Sequence, residues 1–248
     1  MTAAILLLAT FVTAFISGVF GMAGGLVLMG VLALILPVSS AMVVHGLIQS
    51  VSNGWRAVLL VRWLDWRILG VYALGSALAA GVLVWSTFEL DKAWLFILLG
   101  LVPGVIWVPK RWLHLDAARP LHAIACGVTV TGLNVIAGVS GPLLDVFFAD
   151  TEADRRTIVA TKAATQVLSH GVKIAYYILP ALSAAALPGV QWLVLALPLS
   201  ILGTTLGARC LERMSDLQFR QWTKYIVSAI GCIYVVRGLA LLTQGGSA

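Results

Sequence analysis

SGVFGMAGGL, from Ser17 to Leu26, interrupts an apolar run that reaches from about residue 3 to residue 37. AGVSGPLL, from Ala137 to Leu144, interrupts a second such run over about residues 121–149. A helix needs about 20 apolar residues to cross a bilayer, so each run is too long for one simple crossing. Glycine weakens a helix, and proline removes a backbone donor. Each run is therefore either one long kinked helix or two short helices folded as a re-entrant hairpin.

The rest of the chain has the same character. Of its 248 residues 60% are hydrophobic and 10% charged, against about 25% charged in soluble domains. The mean hydropathy is +1.01. These values exclude a soluble enzyme, a secreted disulfide scaffold and a disordered regulator. Further apolar segments cover about 41–61, 68–86, 93–109, 157–179, 190–208 and 218–242. A lipid-exposed backbone must satisfy its own hydrogen bonds, and the alternation of a membrane barrel is absent, so all should be helices. The N-terminal MTAAILLLATFVTAF lacks a basic start and reads as a first membrane segment. Cys126, Cys210 and Cys232 are far apart in or beside apolar runs and read as helix-packing residues.

Loop charge separates the two readings of the broken runs. If each run crosses once, Lys and Arg fall almost equally on both sides. If each is a hairpin, Arg62, Arg67, Lys110, Arg111, Arg119, Arg155, Arg156, Arg209 and Arg213 share one side, and only Lys92 is left on the other. Nine against one is the bias of cytoplasmic loops in membrane proteins. Residues 62–67, 109–120, 150–156 and 209–216 are then cytoplasmic. The N-terminus, the 87–92 loop, the 180–189 loop and the C-terminus face outside. This bias also accounts for the net charge of +6 without nucleic acid.

A shift of 117 residues aligns the halves without a gap from about residue 21 to residue 60. GMAGGL (Gly21 to Leu26) falls on GVSGPL (Gly138 to Leu143). Rare polar residues coincide as well: His45 with Lys162, Gln49 with Gln166, Ser52 with Ser169, Asn53 with His170, and Arg56 with Lys173. In the hairpin topology each half makes an odd number of crossings, which inverts the second. The expected fold is an all-α polytopic membrane bundle forming one domain over 1–248. It has two inverted repeats, about 3–109 and 120–242, each opening with a glycine-broken hairpin. Secondary transporters share this design, with the site near the midplane.

Those polar residues supply the candidate site. His45, Gln49, Ser52, Asn53 and Arg56 fall in a helical stripe about 100° wide, and Lys162, Gln166, Ser169, His170 and Lys173 repeat its spacing. A charge near the bilayer centre costs about 2.5 kcal/mol or more, so such residues face a partner or a wet cavity. Two roles are open to Arg56, Lys162 and Lys173: lining the site, or snorkelling to an interface. Asp145 either pairs with Lys162 or Lys173, caps a helix, or carries a coupling proton. Embedded basic residues outnumber acidic ones, which favours an anion over a metal cation. Helix N-termini at the breaks would bind an anion through free N–H groups, with Gly21, Gly24, Gly25, Gly138, Ser140 and Gly141 around it. Tight helix packing is the alternative use of these glycines. On the anion reading, Val at Gly24 or Gly141 abolishes transport while the chain still reaches the membrane. His45 and His170 are equally open to helix packing. His114 and His122 suggest no metal site, and Arg237 reads as snorkelling outward. No nucleotide-binding, zinc-protease or nucleophile-elbow motif occurs.

The two glycine motifs, their spacing and the basic middle connection resemble the sulfite exporter TauE/SafE family of membrane transporters. The resemblance spans nearly the whole chain. Its specific part is Ser17–Leu26 and Ala137–Leu144. Family members carry a run of three glycines followed by a proline; here Ala23 and Ser140 interrupt the run, and Pro142 stands where glycine is frequent. The resemblance implies transport of sulfite, organosulfonates or thiosulfate, with Gly21–Gly25 and Gly138–Pro142 lining the site. The expected partners are a small anion and the lipid bilayer, with no cofactor; a homodimer is open. The expected location is a bacterial-type inner (plasma) membrane. A membrane scaffold or assembly protein, and a membrane-embedded enzyme, are the alternatives.

Overall fold

The computed structural model describes residues 2–85, 89–108, 114–211, 213 and 216–245. Lys110 and Arg111, and the ends of three expected loops (87–88, 109–113, and 212 with 214–215), lie outside the described residues, as does residue 86 of the 68–86 segment. Among the described residues there are ten α-helices and no strand. The first broken run forms α1 (Thr2–Phe20) and α2 (Met22–Ile35), followed by α3 (Val38–Leu59), α4 (Trp66–Val84) and α5 (Lys92–Leu101). The second forms α6 (Pro120–Ala137) and α7 (Gly141–Phe147), followed by α8 (Arg155–Ser183), α9 (Val190–Leu211) and α10 (Asp216–Gly245). A 3-10 turn, Val102–Trp107, extends α5.

Both breaks turn on a glycine. Gly21 has φ +61° and Gly138 has φ +79°, and these are the two positive-φ glycines among the described residues. They stand 117 residues apart, the spacing of the sequence shift. An L-residue pays for such a backbone because its Cβ meets neighbouring peptide atoms. At Gly21 an added Cβ meets open space; at Gly138 it would lie 2.9 Å from Met29 Sδ. Gly21→Ala is therefore expected to cost only backbone strain, about 1–3 kcal/mol. Gly138→Ala should cost that plus a core clash, giving the lower melting temperature of the two purified variants. Equal melting temperatures would contradict this account.

Side-chain caps fix several helix starts. Asp65 accepts from Ile68 N–H at 3.0 Å, Asp91 from Trp94 N–H at 3.0 Å and Asp154 from Arg156 N–H at 2.8 Å. Each fills an orphan donor of the first turn. The start of α3 is capped from afar: Ser39 N–H donates to Glu89 Oε1 at 3.0 Å.

Helices pair as α1 with α9, α3 with α8, α4 with α6 and α5 with α10. Among the described residues five helices are long and apolar enough to cross a membrane: Ala3–Phe20, Trp66–Val84, Pro120–Ala137, Val190–Leu211 and Gln221–Gln244. The long helices α3 and α8 carry the polar stripes and pack on each other, which places both stripes inside the bundle. Of the cysteines, Cys126 is buried as expected of a packing residue, whereas Cys210 and Cys232 are exposed.

Candidate functional site

The chain reverses at Gly21, which lays α2 back against α1. An added Cβ at Gly24 would stand 2.1 Å from Thr13 O and 2.5 Å from Ser17 N. Gly24 thus faces the backbone of α1. Its neighbour Gly25 turns the other way, beside the Gln49 side chain, and its carbonyl lies 2.9 Å from His45 Nε2. The second break meets the first: a Cβ on Gly141 would lie 2.6 Å from Met22 Cβ.

The two stripes do not form one continuous site. Their best-connected part is a node around Lys173, which is 0% exposed. Lys173 Nζ donates to Gly138 O at 2.8 Å, His45 Nδ1 at 2.7 Å and Asn134 Oδ1 at 3.4 Å. An ammonium has three donors, and all three are used. Asn134 Nδ2 in turn donates to Ser169 Oγ at 3.1 Å and to His170 Nδ1 at 3.2 Å. His45 and His170, 1% and 2% exposed, meet edge to face at 5.5 Å. With Lys173 as the ammonium, His45 Nδ1 accepts from it and Nε2 carries the hydrogen given to Gly25 O. The node ties α2, α3, α6 and α8 to the ends of both breaks. Of the two roles open to Lys173, snorkelling is excluded: its ammonium ends in the interior.

The other stripe residues take separate partners. Arg56, half-buried, donates from Nη2 to Ser17 O at 3.1 Å. Ser17 lies in the last turn of α1, whose carbonyls lack helical donors, and Gly138 caps the end of α6. Arg56 and Lys173 thus each bind a carbonyl at the end of a helix that precedes a break, where the dipole favours a cation. Asn53 Nδ2 donates to Gln49 O at 3.0 Å. Ser52 Oγ shares a 2.6 Å hydrogen bond with Thr204 Oγ1 of α9. Gln166 Nε2 and Ser140 Oγ are buried without a hydrogen-bond partner.

Asp145 accepts from Lys162 Nζ, with both side chains about one-third exposed (34% and 28%). Of the roles open to Asp145, pairing with Lys162 is the one formed, and neither group joins the Lys173 node. The pair is partly solvated, so Asp145→Asn should lower stability by only about 1 kcal/mol. A double-mutant cycle with Lys162→Met, read by thermal melts, checks this. Coupling well above that value would mean the pair is sealed from water.

Sequence reasoning missed Asn134, the hub that joins Lys173 to His170 and Ser169. A usable signal existed, since an uncharged amide in an apolar membrane segment needs a partner. Its position is also 117 residues after Ser17. Thr204, the partner of Ser52, carried no comparable signal. His114 Nδ1 lies 3.8 Å from Asp150 Oδ2, and His122 Nδ1 accepts from Asp116 N–H at 3.1 Å. Neither contact reaches the node: His114 lies in the connection before α6, and His122 in the first turn of α6, at the end away from Asn134. Among the described residues no group of three metal-ligating side chains is close enough to hold an ion.

A polytopic helical bundle with a buried cationic node between broken helices defines a multi-pass membrane protein of transporter type. The chain belongs to the sulfite exporter TauE/SafE family, whose model matches residues 6–234. It is 28% identical over 186 residues, 73% of each chain, to the probable inner membrane transporter protein TsaS of Comamonas testosteroni. Family and relative are membrane transporters, not enzymes. No solved structure matches.

Proposed function

We propose that the chain is a secondary transporter that moves a small sulfur-containing anion, of the sulfite, organosulfonate or thiosulfate type, across an inner membrane. The observation that carries this reading is Lys173, a buried amine whose three partners are an imidazole, an amide and a carbonyl. None of them bears negative charge. Holding a proton there without a counter-ion is costly, and an anion arriving beside it relieves that cost. The unpartnered Ser140 hydroxyl and Gln166 amide supply further donors near the second break and on the α8 stripe. Gly21, Gly25, Gly138 and Gly141 are the backbone positions of this proposed site; Gly24 is a packing position.

The proposed architecture is a pair of inverted repeats with re-entrant breaks. Helix pairing supports it. Exchanging α1 with α6, α4 with α9, and each of α3 and α5 with α8 and α10 converts every main pair into another main pair or itself. The matched positive-φ glycines support it independently. Residues 150–156 are then cytoplasmic and 180–189 outside. In a cysteine-free background, Cys at Ala153 should label from the cytoplasmic side and Cys at Ala184 from the other; both labelling from one side would remove the inverted arrangement.

The functional reading is tested by thermal shift of the purified protein against sulfite, sulfate, thiosulfate, alkyl sulfonates and carboxylates. A ligand at 100 times its Kd should stabilise the fold by about 2.7 kcal/mol. A rise with sulfur oxyanions and none with carboxylates is expected. No shift with any of them, together with no uptake into proteoliposomes, would sink the reading.

A further inference from the structure

Anion carriers need a driving force, and the node around Lys173 suggests which one. Lys173 Nζ and His45 Nδ1 lie 2.7 Å apart, and His45 Nε2 lies 2.9 Å from Gly25 O. Two arrangements fit these contacts with one shared proton: ammonium donating to imidazole, or imidazolium donating to amine. In both, the hydrogen bonds to Gly138 O and Gly25 O persist. The pair thus forms a two-site holder for one proton.

The surroundings determine what stabilises that proton. From α3 the facing titratable group is His45; from α8 itself, His170 and, one turn on, Tyr177. From α6 come Asn134 and the Gly138 carbonyl, both neutral. Tyr177 donates to Val135 O at 3.1 Å. From α4, Tyr72 is held near Thr131 of α6. Of the other embedded ions on the stripes and second break, Lys162 and Asp145 pair with each other, and Arg56 donates to Ser17 O. Glu89, on the Tyr177 side, accepts from Ser39 N–H, and among the described residues no carboxylate contacts the pair to balance its proton. A bound anion would supply that balance. Each of the two then lowers the cost of holding the other, and this coupling is reciprocal.

We infer that the transported anion is loaded together with a proton taken from bulk water, and that this proton is held by the Lys173–His45 pair. The inference rests on the anion-transport reading above and adds the coupling ion to it. One proton enters as one anion binds, both leave on release, and no covalent bond other than the N–H is made or broken. Asp145, the candidate coupling residue of the sequence, is tied to Lys162 instead.

The test is calorimetric titration of the purified full-length protein with thiosulfate and with methanesulfonate, between pH 6 and 9, in buffers of different ionisation enthalpy. Neither probe carries a titratable proton in this range, so any proton taken up enters the protein. The expected result is about one proton taken up per anion, with affinity falling about tenfold per pH unit on the alkaline limb. His45→Gln keeps a donor and an acceptor but cannot hold a proton; it should move that limb by a pH unit or more. His114→Gln, in the cytoplasmic connection, should leave it in place. Binding with no proton uptake at any pH would overturn the inference and leave the transporter reading standing. Uptake lost in Asp145→Asn with the limb unmoved in His45→Gln would also overturn it. Failure of the wild type to bind any sulfur oxyanion would remove the transporter reading and the inference with it.

Discussion

Replacing Lys173 with Met is expected to give the largest loss of anion affinity of any single substitution, at least 100-fold. The side chains are similar in length, so the change removes charge and donors more than volume. Gly138 O, His45 Nδ1 and Asn134 Oδ1 would all lose the ammonium that serves them. An unsatisfied buried polar group costs about 1–3 kcal/mol, and these three share one network, so their costs do not add. The melting temperature should therefore fall as well. Lys173→Arg keeps the charge at a position that the 117-residue shift aligns with Arg56, and it should recover part of the affinity. If Lys173 acts only as a cap for the end of α6, the Met variant will melt earlier but bind anions as tightly as wild type. Calorimetry on the folded fraction distinguishes the two cases.

Gly24→Val should fail at folding rather than at transport. Its Cβ would enter the backbone of α1, 2.1 Å from Thr13 O and 2.5 Å from Ser17 N. Backbone atoms of a helix cannot move aside as a flexible side chain can. The α1–α2 contact must open, at a cost of about 3 kcal/mol or more. Folded protein recovered from membranes should drop sharply, measured by fluorescence-detected size exclusion. Gly141→Val meets one atom closer than 3.0 Å, Met22 Cβ at 2.6 Å, against three at Gly24, and should be milder. This separates two glycines that the sequence treats alike: both belong to a break, but only Gly24 lies against the backbone of α1. A Gly24→Val protein at wild-type level and melting temperature would show that the contact is not tight.

The same contrast holds across the molecule. The membrane class, the helical segments and the two breaks were legible because their causes are local. Lipid penalises any unpaired backbone, runs of apolar residues report on it directly, and a glycine such as Gly21 or Gly138 marks where the chain needs a positive φ. The polar stripes were legible too, because side-chain direction along a helix repeats every 3.6 residues. The stripe on α3 and the stripe on α8 do face each other.

What each stripe residue touches was not legible. Lys173 and Lys162 share a stripe, yet one ends in a dry node on Gly138 O and the other on Asp145 in a partly solvated place. Asn134 lies in an apolar segment and becomes the hub of the node only because α6 is rotated to bring it between Ser169, His170 and Lys173. Gly24 and Gly25 are adjacent, and the course of α2 against α1 alone decides that the first is filled by backbone and the second left beside Gln49. The sequence by itself determined which residues sit on which face of which helix. The rotation of each helix and its neighbours follow from packing the whole bundle at once, and that packing decided which charges found partners and left Lys173 without a negative one.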